Sequence, residues 1–253
     1  MESIADFLEM RMTHESIRAY DLPKRVASYD ADMDIMHPNR HKMAEVIESV
    51  LTVPGVSPQL VIDIGTGTGF LADRLLRAFS GSRIIAIDGA QQMVDLARTR
   101  LGPLAQRVDF RIGDFRNLSG LCGNAAAADA VVSAYALHHL SSGEKLELLR
   151  VANRLLKPGG WFLDADLTLA EDDELEELAQ RMRVRGIVQR ADGRDPRFAD
   201  VKTTRQFLDE MERNEGDQPL RPAEDLRILH EAGFRHVTTF WRETREVVYG
   251  GMR

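Results

Sequence analysis

Short apolar runs rich in β-branched residues alternate along the middle of the chain with stretches whose apolar residues recur every three or four positions. The first pattern is typical of buried strands and the second of amphipathic helices. Strands that alternate with helices in this way predict an α/β fold, with a mostly parallel sheet and helices on both of its faces. The predicted elements are strand 59–64, helix 68–79, strand 83–88, helix 90–101, strand 107–112, strand 128–133, helix 142–156 and strand 160–166.

Helical patterns flank this alternation on both sides. Residues 1–52 have apolar positions at helical spacing, and we expect an N-terminal helical segment, of which residues 1–20 form either a lid or a contact in a homodimer. The segment 169–215 follows the strand at 160–166 and is acidic at its start and arginine-rich further on. Because ligands bind beside the carboxyl ends of the strands in open α/β sheets, we expect this segment to be a helical cap insertion. A solvated helical hairpin is the alternative, since alternating charge is ordinary there.

The remaining pattern completes one domain. A helix beginning at Pro222 precedes two alternating stretches, 234–241 and 244–249, which we predict to be paired strands. Residues 116–127 are rich in Gly and Ala with little periodicity, so the helix expected between the third and fourth strands is short or missing. We find no internal repeat and no linker, and we interpret 1–253 as a single domain.

Two local signals mark helix starts. Asn39 follows His37 and Pro38, and we expect its side chain to cap the helix that runs through Met43. Ser141 and Glu144 have the spacing of a capping box.

Three alternate glycines follow the first predicted strand. Asp63 lies at the strand end, and Gly65, Gly67 and Gly69 follow it before a helical pattern begins. A dinucleotide site would require glycine at position 70, which is Phe70, so a nicotinamide oxidoreductase is disfavoured. No Lys-Ser or Lys-Thr pair follows, so the phosphate-binding loop of nucleoside triphosphatases is also excluded. A carboxylate at position 63 would repel a pyrophosphate but suits a ligand with an ammonium group.

These residues resemble the first motif of the class I S-adenosylmethionine (SAM) methyltransferases, and the downstream sequence strengthens the resemblance. Asp88 ends the second strand 23 residues beyond Gly65, where an acid can accept the ribose hydroxyls. Asp114, the strand 129–133 and the turn and strand 156–163 resemble the family's later motifs in the right order. The likeness runs from about residue 25 to 168, with a weaker match over 222–251. It implies a Rossmann-like fold with a seven-stranded, mostly parallel sheet and an antiparallel last strand.

The resemblance also implies a set of residues that bind SAM, with S-adenosylhomocysteine as the product. The glycine loop would pass under the methionyl part, Asp63 would face its ammonium group, and Asp88 would hold the ribose. Asp114 and the Phe115 backbone would contact the adenine edge, and Arg40 would contact the methionyl carboxylate. The full expected set is Tyr29, Arg40, Asp63, Gly65, Thr66, Gly67, Gly69, Asp88, Gly89, Met93, Asp114, Phe115 and Ser133.

Two residues are candidates for a direct part in methyl transfer. Tyr29 resembles the family's N-terminal aromatic element, whose ring gains from cation–π attraction near a sulfonium. His138 follows the fourth strand and is the candidate general base. Packing and hydrogen bonding are the alternative role for either histidine of the pair, and we expect His139 to be the structural one.

Composition narrows the partners and the compartment. The chain has 33 Lys and Arg against 40 Asp and Glu, for a net charge of −7, so we expect no nucleic-acid partner. One cysteine, Cys122, excludes an internal disulfide and fits a reducing compartment. With no signal peptide or membrane span in the sequence, we expect a cytoplasmic protein. His37 and His41 stand four apart, but Pro38 lies between them and no acid or cysteine has matching spacing, so we expect no metal site.

The leading hypothesis is a SAM-dependent methyltransferase that acts by direct displacement on a small-molecule acceptor, for which the arginines of the cap suggest a negative charge. An enzyme that modifies SAM itself, like the carboxy-SAM synthases, is an alternative, although those enzymes have Gly-Cys-Ser-Leu-Gly where this chain has Gly65 to Gly69. A non-catalytic SAM-binding partner protein is the third hypothesis. The sequence does not identify the acceptor.

Overall fold

The structure is a computed structural model that describes residues 15–21, 23–52, 57–123 and 127–253. The part of the predicted N-terminal helical segment at 1–14 lies outside the described residues. Residues 53–56, which precede the first strand, also lie outside the described residues. So do residues 124–126, which belong to the stretch 116–127, where we expect the helix to be short or missing.

Seven strands form one sheet in the order β3-β2-β1-β4-β5-β7-β6. All neighbouring pairs from β3 to β5 are parallel, whereas β7 is antiparallel to both β5 and β6. The predicted Rossmann-like sheet with an antiparallel last strand is therefore confirmed. The strands are β1 (Leu60–Ile64), β2 (Arg83–Asp88), β3 (Val108–Ile112), β4 (Ala128–Ala134), β5 (Leu156–Leu167), β6 (Arg235–Glu243) and β7 (Glu246–Met252).

Helices cover both faces of the sheet and extend beyond its carboxyl edge. In chain order they are α1 (Glu15–Tyr20), α2 (Pro23–Met36), α3 (Arg40–Leu51), α4 (Phe70–Ala78), α5 (Gln91–Leu101), α6 (Leu118–Cys122), α7 (Ser142–Leu155), α8 (Asp173–Ala191), α9 (Val201–Glu215) and α10 (Pro222–Glu231). Within the described ranges, no helix combines the length and apolar character that crossing a bilayer requires.

The alternation of side chains along β1 explains the two hydrophobic cores. Ile62 and Ile64 point to one face, where they join a core with Leu148 of α7 and Leu229 of α10. Val61 points to the other face and joins the core that includes the apolar side of α3 and α4. Both faces are covered, which is why the central strands are almost continuously apolar.

The position of β4 beside β1 determines where the sheet has a crevice for a ligand. The chain runs outward from β1 to β2 and β3, then returns to place β4 on the other side of β1. The carboxyl ends of β1 and β4 thus lie side by side at the point where the strand order reverses. In open α/β sheets this crevice is where ligands bind.

Local helix-start signals had different outcomes. The capping box is confirmed, since the Ser141 hydroxyl accepts from the Glu144 N–H and the Glu144 side chain accepts from the Ser141 N–H. The expected cap by Asn39 is wrong. Asn39 precedes α3, but its side-chain amide donates to Glu246 Oε2 at 2.7 Å and makes no capping hydrogen bond. A buried carboxylate on a distant strand thus takes the amide away from the helix end.

The insertion after β5 contains two long helices, α8 and α9. Their apolar side chains meet Met36 of α2 in a small separate core that includes Val184, Ile187, Phe198 and Leu208. The insertion therefore packs against the N-terminal helices rather than standing free in solvent.

Candidate active site

A pocket with an empty volume of about 460 Å³ opens at the carboxyl ends of β1, β2 and β4. It lies in the crevice that the sheet topology predicts. The residues that line it are Ile17, Tyr20, Tyr29, Gly65, Gly67, Asp88, Gly89, Ala90, Met93, Phe115, Tyr135, Ala136 and His139. Seven of the expected SAM-binding residues are in this set: Tyr29, Gly65, Gly67, Asp88, Gly89, Met93 and Phe115.

Two glycines keep the pocket open by lacking a side chain. Gly65 has φ of +67°, and a Cβ placed on it would lie 2.3 Å from the Cβ of Ala136. A Cβ on Gly89 would lie 2.7 Å from Ile17 Cδ1. The backbone is thus in close contact with its surroundings at both points, and a side chain at either position would displace a residue that lines the pocket.

Asp88 fixes the shape of the glycine loop. Its Oδ2 accepts the Gly67 N–H at 2.8 Å, and its Oδ1 accepts the Ala90 N–H at 2.9 Å. Burial raises the pKa of this carboxyl group, while the backbone hydrogen bonds oppose the rise. The carboxylate is therefore held rigidly in the pocket wall, where it can accept hydroxyl groups of a bound ribose.

Asp63 is buried under the same loop. Its Oδ2 accepts the Thr66 hydroxyl at 2.7 Å, and burial raises its pKa to about 7. Asp88 adds to the rise because the two negative charges disfavour one another. A cationic ligand group above the loop would lower the free energy of the ionised form, which fits an ammonium group.

The N-terminal helices form a roof over the pocket. The rings of Tyr20 and Tyr29 meet edge to face at 5.8 Å, and the Arg25 guanidinium lies 5.3 Å from the Tyr29 ring. Glu215, at the end of α9, accepts the Tyr20 hydroxyl at 2.7 Å and Arg25 Nε at 2.9 Å. One buried carboxylate of the insertion therefore joins both N-terminal helices to the cap.

The two histidines after β4 differ in their surroundings. His139 lines the pocket, whereas His138 does not. His138 Nδ1 lies 2.5 Å from Asp166 Oδ1, and its Nε2 lies 3.6 Å from Asp217 Oδ1. The two carboxylates outweigh burial and raise the pKa of His138 to about 9. Both ring nitrogens of His138 face carboxylates and the ring does not line the pocket, so the general-base role expected for His138 stays a prediction, and His139 is the histidine at the pocket wall.

Arg40 does not line the pocket. Its Nη1 donates to Asp30 Oδ1 at 3.0 Å, and its guanidinium stacks on the Phe70 ring at 3.9 Å. The Thr68 hydroxyl donates to the same Asp30 oxygen at 3.0 Å. The structure thus places Arg40 behind the glycine loop, where it supports the loop and the roof through Asp30.

Three other expected residues are engaged elsewhere. The Asp114 carboxylate accepts the Arg116 N–H at 2.9 Å and caps a short turn at 115–117. The Ser133 hydroxyl donates to the Ile64 carbonyl at 3.0 Å. A Cβ on Gly69 would lie 3.0 Å from Ala97, so this glycine permits close packing of α4 on α5. None of the three lines the pocket, and their expected contacts with SAM remain predictions.

A second cavity, with an empty volume of about 570 Å³, lies between the turn from α2 to α3, the turn from β6 to β7 and α8 of the cap. Tyr135 lies between the two spaces. Its ring lines the first pocket, and its hydroxyl donates at 2.5 Å to Oε1 of Glu246, which lines the second cavity. Arg183 and Arg245 also line the second cavity, and their side chains are almost completely buried. We name this space the cap cavity.

Several of these residues have no signal in the sequence. Tyr20 and Glu215 meet across 195 positions of the chain. Asp217 follows a helix end in a polar stretch, and nothing in its neighbourhood indicates a buried role. Asp166 is the exception, since Asp164 and Asp166 are acids inside an otherwise apolar strand, where carboxylates are rarely buried without partners.

Comparison with known proteins agrees with this geometry. The sequence model of a family described as a methyltransferase domain matches residues 61–160. An uncharacterized methyltransferase of Geobacillus kaustophilus is 31% identical over 141 residues, which cover 56% of this chain and 62% of that protein. Another, from a Geobacillus species, is 30% identical over 166 residues, which cover 65% of this chain and 74% of that protein.

Among solved structures, magnesium protoporphyrin IX methyltransferase of Synechocystis with bound S-adenosylhomocysteine has the same fold. The TM-score is 0.58 at 16% identity, over 87% of this chain and 86% of that one. The chain spans less than two thirds of the length of the first Geobacillus relative, so the likeness covers the core and leaves parts of that protein unmatched. The strand order, the glycine loop with Asp88 and the sequence relatives together show that this chain belongs to the class I methyltransferases, a family that uses SAM as its methyl donor.

Proposed function

We propose that this protein transfers the methyl group of SAM to a small-molecule acceptor that is enclosed beneath the roof and the cap. The observation that carries the proposal is the closure of the pocket by Glu215, which holds Tyr20 and Arg25. A buried link of this kind leaves room for a small ligand but not for a folded protein or a nucleic-acid duplex. The net charge of −7 also disfavours a nucleic acid.

The pocket supports this use of SAM through its own residues. When bound, SAM supplies a methyl group activated by its sulfonium sulfur. Asp88 would accept the ribose hydroxyls, Asp63 would balance the ammonium group beneath the glycine loop, and Tyr29 would cover the sulfonium side. The roof would exclude water from the activated methyl group. Gly65 and Gly89 line the pocket and present bare backbone, against which a flat adenosyl group could lie.

The cap cavity supports an acceptor that carries a negative charge. Arg183 Nε and Nη2 and Arg245 Nη1 are buried and make no hydrogen bond with any residue that the structure describes. Burying such N–H groups without acceptors costs free energy, so an anionic group in the cavity would be strongly stabilised there. Glu212 is close to both arginines but offers one carboxylate to two guanidinium groups.

A paired acceptor screen tests this proposal. The protein and SAM would be incubated with small carboxylic acids and with their neutral amides, and S-adenosylhomocysteine would be measured by mass spectrometry. We expect product with one or more acids and little or none with the matching amides. Product formed only with a protein or nucleic acid would contradict the proposal.

A matched pair of arginine variants locates the acceptor. Arg183→Met removes a buried guanidinium from the cap cavity, whereas Arg181→Met removes an exposed one from the same helix, where it pairs with Glu177. We expect Arg183→Met to lower kcat/KM for the acid by about tenfold or more, the value of a charged hydrogen bond, with unchanged SAM affinity. Equal effects of the two variants would place the acceptor elsewhere.

A further inference from the structure

The turn after β4 and the chain after α9 bring three potential metal ligands together. His138 and His139 lie in the short helical turn Leu137–His139, and Asp217 follows the end of α9. The Gln218 N–H donates to the His138 carbonyl at 2.7 Å, and the Asp217 N–H donates to the Glu212 carbonyl at 3.0 Å. These hydrogen bonds fix the backbone of both segments, so the three side chains keep their positions relative to one another.

The separations of the donor atoms fit a single coordination sphere. Asp217 Oδ1 lies 3.0 Å from His139 Nδ1 and 3.6 Å from His138 Nε2, and all three atoms lie within 4.8 Å of one another. Zinc binds nitrogen and oxygen at about 2.0–2.2 Å, which sets neighbouring ligand atoms about 3.0–3.5 Å apart. A cation can therefore contact all three donors after small side-chain rotations.

The surroundings of His138 resemble those of a metal-bound imidazole. Asp166 Oδ1 lies 2.5 Å from His138 Nδ1, and Asp166 Oδ2 accepts the backbone N–H of His138 at 2.8 Å. A carboxylate on the far nitrogen orients the ring and directs Nε2 toward the centre of the cluster, as it does in carboxylate–histidine–zinc arrangements.

Donor atoms in the cluster are buried without hydrogen bonds. Across the described ranges, His139 Nδ1, His139 Nε2 and Asp217 Oδ1 have no hydrogen-bond partner. Although His139 Nδ1 and Asp217 Oδ1 are 3.0 Å apart, they are misaligned for a hydrogen bond. Both side chains are at least nine-tenths buried. Unsatisfied polar atoms are rare in protein interiors and require an explanation, and a shared cation satisfies two of these three.

We propose that His138 Nε2, His139 Nδ1 and Asp217 Oδ1 form a binding site for a divalent transition-metal ion, with Zn²⁺ as the best fit. Two imidazoles and one carboxylate favour Zn²⁺ and related ions over Mg²⁺ and Ca²⁺, which prefer oxygen ligands. Three protein ligands leave at least one position open. Because His139 also lines the cofactor pocket, that position is available to an acceptor oxygen; this role rests on the proposed function, whereas the site itself does not.

Metal binding to the untagged protein tests the site directly. After chelator treatment and dialysis, the protein would be titrated with CoCl₂, followed by visible absorption, and with ZnCl₂, followed by calorimetry. We expect one ion per chain, with the Co²⁺ absorption of a low-symmetry nitrogen and oxygen site, and no comparable binding of MgCl₂.

Variants distinguish this site from adventitious binding. Asp217→Asn and His139→Gln preserve side-chain shape, and each should weaken Co²⁺ binding by at least about tenfold, as should Asp166→Asn, which acts through His138. His41→Gln removes an exposed histidine on α3 and should leave Co²⁺ binding unchanged. Circular dichroism and cooperative thermal unfolding would show that each variant is folded. Equal Co²⁺ binding by wild type, Asp217→Asn and His139→Gln, or no binding by wild type, would overturn the proposal.

The same samples separate this proposal from the proposed function. Methyl transfer that continues in wild type without any Co²⁺ or Zn²⁺ binding would reject the metal site and leave the methyltransferase intact. Site-specific metal binding without methylation of any anionic acceptor would support the metal site and reject the proposed acceptor class.

Discussion

At the scale of single residues, the contact between Gly65 and Ala136 joins the end of β1 to the turn after β4. The Ala136 methyl group lies so close to Gly65 that any side chain on Gly65 must displace it. The two segments both line the pocket, so their spacing determines the width of the slot for the cofactor.

We predict that Gly65→Ala destabilises the protein by about 2–5 kcal/mol, because a positive φ costs an alanine about 1–2 kcal/mol and the overlap adds about 1–3 kcal/mol. Gly193→Ala is the matched control, since Gly193 has φ of +68° and no atom near the added Cβ. Urea unfolding should show only the smaller cost there. Adding Ala136→Gly to Gly65→Ala should recover part of the loss, and no recovery would contradict the steric account.

Asp63 gives the protein a pH dependence of a definite sign. Its pKa is about 7 in the folded protein and about 3.9 in the unfolded chain, so the folded state binds the extra proton between these values. Stability from this group therefore falls as the pH rises from about 4 to about 7 and then levels.

We predict that Asp63→Asn removes this component. The free energy of unfolding of the variant, relative to wild type, should rise between about pH 4 and pH 7 and remain constant above pH 7. Urea unfolding at a series of pH values measures the difference. A difference that does not change with pH would show that Asp63 is ionised in the folded protein throughout. The variant should also bind SAM more weakly, because it has no charge to balance an ammonium group.

Residues whose position depends on their neighbours in the chain lie at the pocket as the sequence predicts. One helix and one strand connect the loop containing Gly65 and Gly67 to Asp88. This connection returns Asp88 to the same edge of the sheet as the loop, and all three residues line the pocket. His138 could not be distinguished from His139, because the difference arises from Asp166, which lies 28 positions further along the chain and pairs with His138. Adjacent residues in a tight turn point in different directions, and only the partners decide which faces the ligand.

At the scale of elements, the roof helices depend on the cap. Glu215 is buried at the end of α9 and contacts α1 through Tyr20 and α2 through Arg25. Arg25 also pairs with Asp32, at 3.4 Å. The link is therefore a charged and specific connection, and it lies beside Met211 at the edge of the apolar core of the cap.

We predict that Glu215→Gln weakens SAM binding by about tenfold, because it replaces charged hydrogen bonds with neutral ones. Hydrogen exchange in α1 should become faster, while the central sheet remains as protected as in wild type. Glu210→Gln removes an exposed charge from the same helix and serves as the control. Unchanged SAM affinity in Glu215→Gln would show that the roof closes without this link.

The boundaries of elements were predictable to the extent that local signals set them. The capping box at Ser141 and Glu144 needs only residues of its own turn, and it forms as predicted. Asn39 also has a local signal, but Glu246 on β7 binds its amide instead. A cap competes with any stronger partner that the tertiary structure supplies, and the sequence pattern does not contain that partner.

At the scale of the whole molecule, the sheet was predictable because the periodicity of buried strands and the order of motifs both reflect it. The cap was predictable as a helical insertion, but its charged interior was not. Arg183 belongs to the alternating charges that a solvated hairpin would also explain, whereas the fold buries it beside Arg245 at the cap cavity. Charged residues are mostly exposed, so the burial of these two arginines could not be predicted from the sequence pattern.

The central claim is that the pocket at β1, β2 and β4 binds SAM, and calorimetric titration of wild type and Asp88→Ala with SAM and S-adenosylhomocysteine tests it most directly. We predict that wild type binds both ligands at one site. Asp88→Ala should bind each at least about tenfold more weakly, because it loses charged hydrogen bonds to the ribose. Binding of neither ligand by folded wild type, or equal affinity in Asp88→Ala, would contradict the account.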